Sequence, residues 1–206
     1  MKQCRLQLWI ASVFLVSPIA GGAGDPSEYF KLGVRVEEIA EAGSVSYSVL
    51  NTKNNEYVFL PPSGWKREVD LKARTIGWTS PDYQSLIRLQ VPESESEETP
   101  TIKSEALRQE FLRDFSDARI LEESPSYSAG LAGLAFDADR TVDGKFQAKV
   151  RAAFLPVAGG MLKVTLSTPK EQFVSRQGDL SRFLNSLRTT KQISHDVAPA
   201  RTDARP

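Results

Sequence analysis

The stretch EYVFLPPSGW, residues 56–65, decides how the rest of the chain is read. Tyr57, Val58 and Phe59 are strand formers in succession. Pro61 and Pro62 follow, and neither has an N–H to give to a sheet ladder, so a strand ends here. Gly64 supplies a turn, and Trp65 opens the next segment with a large apolar side chain. Two readings compete for this corner. One is a binding site with a rigid Pro-Pro rim and an aromatic anchor, and the other is a strand entering a core. The residue types favour the second.

Working outward, SVSYSVLNT (44–52) alternates Val45, Tyr47 and Val49 with serines, the period of a half-buried strand. The KNN that follows is turn-forming, so this run and EYVFL predict a hairpin. Ahead of it, GVRVEEIAEAG (33–43) permits a strand through Val34, Val36 and Ile39, or a helical turn over EEIAEA. Downstream, WKREVD, ARTIGWTS and YQSLIRLQV are short β-rich runs bounded by turn formers such as Ser80-Pro81-Asp82. Connections this short fit an antiparallel meander and exclude parallel crossovers.

PESESEETPT (92–101) carries four glutamates and no large apolar residue, and reads as a solvated loop. Its glutamates are irregularly spaced and no glycine turn is present, which argues against a calcium site. Residues 102–118 predict a helix, capped by Thr101 or Ser104, with Phe111, Leu112 and Phe115 as the apolar stripe. Lys103, Arg108, Arg113 and Asp114 are expected on its wet face.

A second β block follows in ARILEES, LAGLAFDADRTV, KFQAKVRAAFLPV and MLKVTLST, with Asp143-Gly144 and Gly159-Gly160 as hairpin turns. KEQFVSRQGDLSRFLNSLR (170–188) spaces Phe173, Leu180, Phe183, Leu184 and Leu187 as an amphipathic helix. Pro169 is expected at its first turn, where a missing N–H is harmless.

The N-terminus has the layout of a secretory signal: Lys2 and Arg5, then an uncharged apolar run, then GGAG. Cleavage is expected between Ala20 and Gly24. Cys4, the single cysteine, precedes the apolar run, so it is not a lipid-anchor cysteine and would be lost with the signal. A mature chain without cysteine has no disulfide framework, no thiolate nucleophile and no zinc–cysteine site. The whole chain has 26 basic and 26 acidic residues, interspersed, which does not suit a nucleic-acid partner.

Catalytic groups are scarce. The single histidine, His195, lies in the polar C-terminal region, so nucleophile–histidine pairs and most transition-metal sites cannot be built in the core. No phosphate loop, dinucleotide fingerprint or nucleophile elbow stands in its required context. Asp137 and Asp139, two apart on a strand, share a face and could form an acid–base pair, although a solvated sheet face explains them as well. No metal and no cofactor is expected.

The order of these elements resembles a known family. A strand ending in FxPPxGW, a second tryptophan (Trp78) a dozen or so residues on, an isolated helix, an antiparallel block and a closing helix resemble the PsbP-like proteins. This is the fold of PsbP, Mog and DcrB. The matching positions are Phe59, Pro61, Pro62, Gly64 and Trp65 at the front, Gly130, Gly133 and Phe136 in the middle, and Phe173, Leu180, Phe183, Ser186 and Leu187 in the closing helix. The resemblance implies an α+β fold, an antiparallel β-sheet flanked by helices as an α/β/α sandwich, with an N-terminal β-hairpin. It covers a PsbP-like domain (44–190), which with the residue pattern divides the rest of the chain into a signal peptide (1–24), an extension (25–43) and a polar tail expected to be disordered (191–206).

Functionally the resemblance implies a non-catalytic exported module, periplasmic or extracellular, serving a protein partner in the cell envelope. Two other expectations stand beside it: a carrier of a small apolar or lipid-like ligand between sheet and helix, and a hydrolase using Asp137 and Asp139.

Overall fold

In the computed structural model the described residues are 30–39, 43–94, 96–128 and 130–191. The expected signal peptide, Cys4, His195 and most of the expected tail lie outside them. Among the described residues no helix is long and apolar enough to cross a membrane.

The described residues form two antiparallel sheets and two α-helices. The first sheet contains β1 (Lys31–Ile39), β2 (Gly43–Asn51), β3 (Asn55–Phe59) and β11 (Arg188–Lys191), in that spatial order. The second contains the meander β4 (Lys66–Asp70), β5 (Thr75–Thr79) and β6 (Leu86–Gln90), then β7 (Ala118–Ser128), β8 (Leu131–Val142), β9 (Phe146–Val157) and β10 (Gly160–Pro169). Its order is β4-β5-β6-β10-β9-β8-β7, so the meander joins the later block through the β6–β10 pair.

The alternation of side chains along β8, β9 and β10 divides the large sheet into two faces. On one, Ala135, Ala153, Leu155, Val164 and Leu166 join Leu50, Tyr57 and Phe59 of the small sheet and Phe173, Leu180, Phe183 and Leu187 of the closing helix in the main core. On the other, Phe136, Ala138, Val150, Ala152 and Phe154 pack against Leu107 and Phe111 of the central helix. The closing helix is α2 (Phe173–Ser186) and the central one α1 (Ser104–Asp114). One strand thus serves two cores because its odd and even residues point in opposite directions.

Both hairpin dipeptides fall at turns. Asp143 and Gly144 take positive φ between β8 and β9, and Gly159 does so between β9 and β10. The run 33–39 takes the strand alternative, and β1 pairs with β2 from Lys31↔Asn51 to Ile39↔Gly43.

Several expectations change. Helix α1 is shorter than 102–118. Lys103 is its N-cap with no side-chain cap bond, and the Ser104 hydroxyl instead donates to Glu123 Oε1 at 2.7 Å. Phe115 leaves helical backbone, and Ala118 is already taken into the β7–β8 ladder opposite Arg140. Asp114 is exposed, as expected, yet with Glu110 (3.4 Å) it also holds the buried Lys163 ammonium of β10, tying α1 to the sheet.

Pro169 closes β10 opposite Ala148, and a single 3-10 turn at Lys170–Gln172 precedes α2. Lys191, the first residue of the expected tail, belongs instead to a strand, because β3 offers a free edge and Arg188 to Lys191 pair along it. The loop over 92–101 keeps its glutamates in solvent where they are described, yet its backbone is bound. The Gly159 N–H donates to the Glu98 carbonyl at 3.0 Å, and the Asn54 amide donates to the Ser96 carbonyl at 3.0 Å.

Candidate functional site

The corner at residues 60–65 is built by long-range constraints on a locally stiff segment. The Leu60 N–H leaves the strand ladder and donates to Ser186 Oγ, near the end of α2, at 2.9 Å. Pro61 and Pro62 have no N–H to place, Gly64 takes φ +76°, and the chain reaches Trp65 beside the other end of α2. Trp65 is half-buried: one side packs on the main core, and the Arg176 guanidinium covers the ring at 5.5 Å from its centroid. A guanidinium over an indole face is attracted by the ring quadrupole.

Arg176 is held in turn by the turn between β5 and β6. Its Nη2 donates to Asp82 Oδ2 at 2.8 Å. Asp82 also accepts from the Ser80 hydroxyl and, at 3.2 Å, from the Gln84 N–H. Burial acts to raise the Asp82 pKa, but the Ser80 and Gln84 hydrogen bonds and the Arg176 charge outweigh it, and the carboxyl titrates below its ordinary value. Gln172 Nε2 donates to Gln84 Oε1 at 2.6 Å, fixing the same turn to the start of α2.

The residue enclosed by these bonds is Tyr83. Its backbone takes φ +59°, a left-handed conformation that costs a bulky side chain energy, and the residue stands 69% exposed. Trp65, Arg176, Asp82 and Tyr83 therefore form one ordered surface patch.

The other positions named from sequence are mostly interior. Phe59, Trp78 and Phe183 form an aromatic triad with centroid separations of 5.2–5.6 Å, between α2 and the sheets. Phe136 contacts Phe111 and Phe154, and Phe173 and Leu187 are buried in the main core. Gly130 lies beside β8 with φ +87°, and Gly133 allows the Phe154 carbonyl of β9 to approach. Of the front group, Phe59 is fully buried, Pro61 and Pro62 are half-buried and Gly64 is exposed.

Asp137 and Asp139 do share a face of β8, as their spacing predicts. Each is engaged by cations: Asp137 by Arg151 at 3.2 Å, and Asp139 by Lys170 at 3.2 Å and Arg119 at 3.7 Å. Arg151 also reaches Ser124 Oγ at 3.4 Å. Burial, with help from Glu122, pushes the Asp137 pKa up against the opposing pull of Arg151 and Lys149. The second carboxylate oxygen of each aspartate is buried with no hydrogen-bond partner. Cations on the outer oxygens and burial of the inner ones leave little of either carboxylate to reach a substrate. Among the described residues no group of three or more His, Cys, Asp or Glu side chains is arranged to hold a metal ion.

Arg176 and Tyr83 were not legible as site residues. Asp82 was readable only as part of a turn, and nothing local links it to an arginine 94 residues later.

No family model matches the sequence, and no curated protein does either. Among solved structures the chain is similar to a protein of Bacteroides thetaiotaomicron, at 14% identity and TM-score 0.44, over 66% of this chain and 46% of that one. The chain thus spans less than half the length of that protein. It is also similar to LpqN, involved in cell envelope biogenesis of Mycobacterium tuberculosis, at 11% identity and TM-score 0.46, over 77% of this chain and 91% of that one. A third similar structure is the cyanobacterial PsbP of Synechocystis, at 13% identity and TM-score 0.47, over 84% of this chain and 98% of that one. Likeness at this level concerns the fold and places no activity or partner on this chain. A PsbP is thus among the structures similar to this chain, as the PsbP-like resemblance implies.

Proposed function

We propose that this chain is a non-catalytic exported binding module that engages a protein partner in the cell envelope, with an α/β/α core as its scaffold. The contact surface is the corner of Trp65, Arg176, Asp82 and Tyr83. The observation that carries this reading is Tyr83, exposed yet held in left-handed backbone by a turn that two side-chain hydrogen bonds, Arg176 to Asp82 and Gln172 to Gln84, pin to α2 and its start. Tyrosine, tryptophan and arginine dominate binding hot spots, and a pre-ordered aromatic loses little conformational entropy on contact.

The carrier reading finds less support. The place for an apolar ligand, between α2 and the sheets, is occupied by Phe59, Trp78 and Phe183 in mutual ring contact. The hydrolase reading is weakened by the cations on the outer oxygens of Asp137 and Asp139.

A photo-crosslinking residue placed at position 83 in the exporting cell tests the proposal, with position 141, exposed at the end of β8, as control. A reproducible adduct from position 83, absent from 141 and lost in an Arg176→Ala background, is the expected result. Equal labelling from both positions, or no adduct at 83, overturns it. Tyr83→Asn keeps a residue that tolerates positive φ, so it removes the ring while leaving the fold stable.

A further inference from the structure

Among the described residues two sheets leave four edge strands, and three carry features that block pairing with another chain. β4 is KREVD, five residues, all exposed and mostly charged. β7 has a register shift between Ile120 and Glu122 and a proline at 125. β11 is only four residues long. Short length, charge, proline and bulges are the usual protections of a sheet edge.

β1 carries charge at Lys31, Arg35, Glu37 and Glu38, but it lacks the short length, the proline and the bulge. It is nine residues long, contains no proline, and pairs with β2 without a shift. Val34 and Val36 are 70% and 60% exposed. They continue the face on which Leu32 packs against the main core, so the apolar row runs past the protein's own interior.

We infer that β1 pairs antiparallel with β1 of a second copy of this chain, with the two-fold axis at Val34. The register follows from side-chain chemistry. About Val34, each Leu32 faces the second copy's Val36, Val34 faces Val34, and each Lys31 faces the second copy's Glu37. Three apolar pairs lie on one face and two opposite-charge pairs on the other, and no like charges meet. Centring on Arg35 sets two guanidinium groups against each other. Centring on Val36 puts Val34 against Glu38 and loses two apolar pairs. Pairing about Val34 extends the small sheet to eight continuous strands and covers both exposed valines. A symmetric self-complementary contact of this kind closes as a dimer.

The test uses the full chain with Cys4→Ser, so that an introduced cysteine is the only thiol. Residues directly opposite in an antiparallel pair have Cα atoms about 4.5–5.5 Å apart, within reach of a disulfide. Val34→Cys is therefore expected to form an intermolecular disulfide on mild oxidation. Val36→Cys, four residues out of register with itself, does not. Sedimentation is expected to show a dimer for the parent chain and a monomer for Val34→Lys, which sets two ammonium groups opposite each other at an exposed, fold-neutral position. A parent chain monomeric at all concentrations overturns the proposal, as does Val36→Cys crosslinking as fast as Val34→Cys. Dimerisation that appears only after removal of residues 192–206 assigns the edge to the chain's own C-terminal segment and also overturns it.

Discussion

Gly133 and Gly178 offer the same substitution with opposite expected signs, and the contrast tests the packing account. A Cβ on Gly133 would lie 2.1 Å from the Phe154 carbonyl oxygen and 2.9 Å from Leu155 Cδ2. The obstacle is a backbone atom of β9, which cannot rotate away as a side chain does. Restoring an ordinary contact means shifting that peptide by about 1 Å, an overpacking that costs about 1–3 kcal/mol in a packed interior. The shift falls beside the Leu134↔Phe154 pair, where the ladder joining β8 to β9 begins. Weakening two ladder bonds adds roughly 0.5–1.5 kcal/mol each. Alanine returns about 0.5–1 kcal/mol relative to glycine within a strand. The net expectation for Gly133→Ala is a loss of about 3 kcal/mol, the middle of a sum that runs from about 1 to about 5 kcal/mol. Gly178 sits in α2 with nothing within 4 Å of its Cβ position. There Gly178→Ala gains about 0.8–1 kcal/mol from helix propensity.

Urea unfolding followed by circular dichroism reads both. With a mid-range slope of about 2 kcal/mol/M, a loss of about 3 kcal/mol lowers the urea midpoint of the Gly133 variant by about 1.5 M. The Gly178 variant should unfold later than the parent. A Gly133→Ala protein with the parent midpoint would refute the close approach of β9 to β8 at this point, and with it the role given to this glycine.

Two further substitutions probe buried polar groups. Asp137 titrates above its ordinary 3.8 in the folded protein, chiefly because burial penalises its charge. The stability it contributes is full below about pH 4 and is lost as pH rises through the elevated folded pKa. Asp137→Asn should flatten that part of the pH–stability profile and match or slightly exceed the parent at pH 7, and a clear loss at pH 7 would show that the Arg151 pair outweighs desolvation. Tyr57 is fully buried, its hydroxyl makes no hydrogen bond of ordinary geometry although Asn55 and the Arg74 charge favour its ionised form, and burial outweighs both and pushes its pKa far up. Tyr57→Phe should therefore be neutral or stabilising by up to about 1 kcal/mol. A destabilised Phe variant in thermal unfolding would mean the hydroxyl is bonded after all.

Some of this was open to local reading. Asp143-Gly144 and Gly159-Gly160 mark their turns because residues that tolerate positive φ are rare enough to be informative, and strand alternation locates the β runs because it has a period of two. Pro61 and Pro62 end β3 for a reason internal to proline. The boundaries of α1 and α2 were less legible: Ala118 and Arg188 each exchange helix for a ladder partner, Arg140 and Val58, that lies far away in the sequence.

What the sequence determined by itself, then, is the strand runs from β2 to β10, the existence of two helices and the side-chain types each face presents, since these follow from short-range sterics and periodicity. Which strands share a sheet is a different matter. The split into two sheets, the pairing of β11 with β3, the anchoring of residues 92–101 on Gly159, and the convergence of Trp65, Asp82 and Arg176 at one corner depend on contacts between distant residues. Many pairings satisfy the same local pattern, and only the chain packed as a whole, with every buried face covered at once, selects among them.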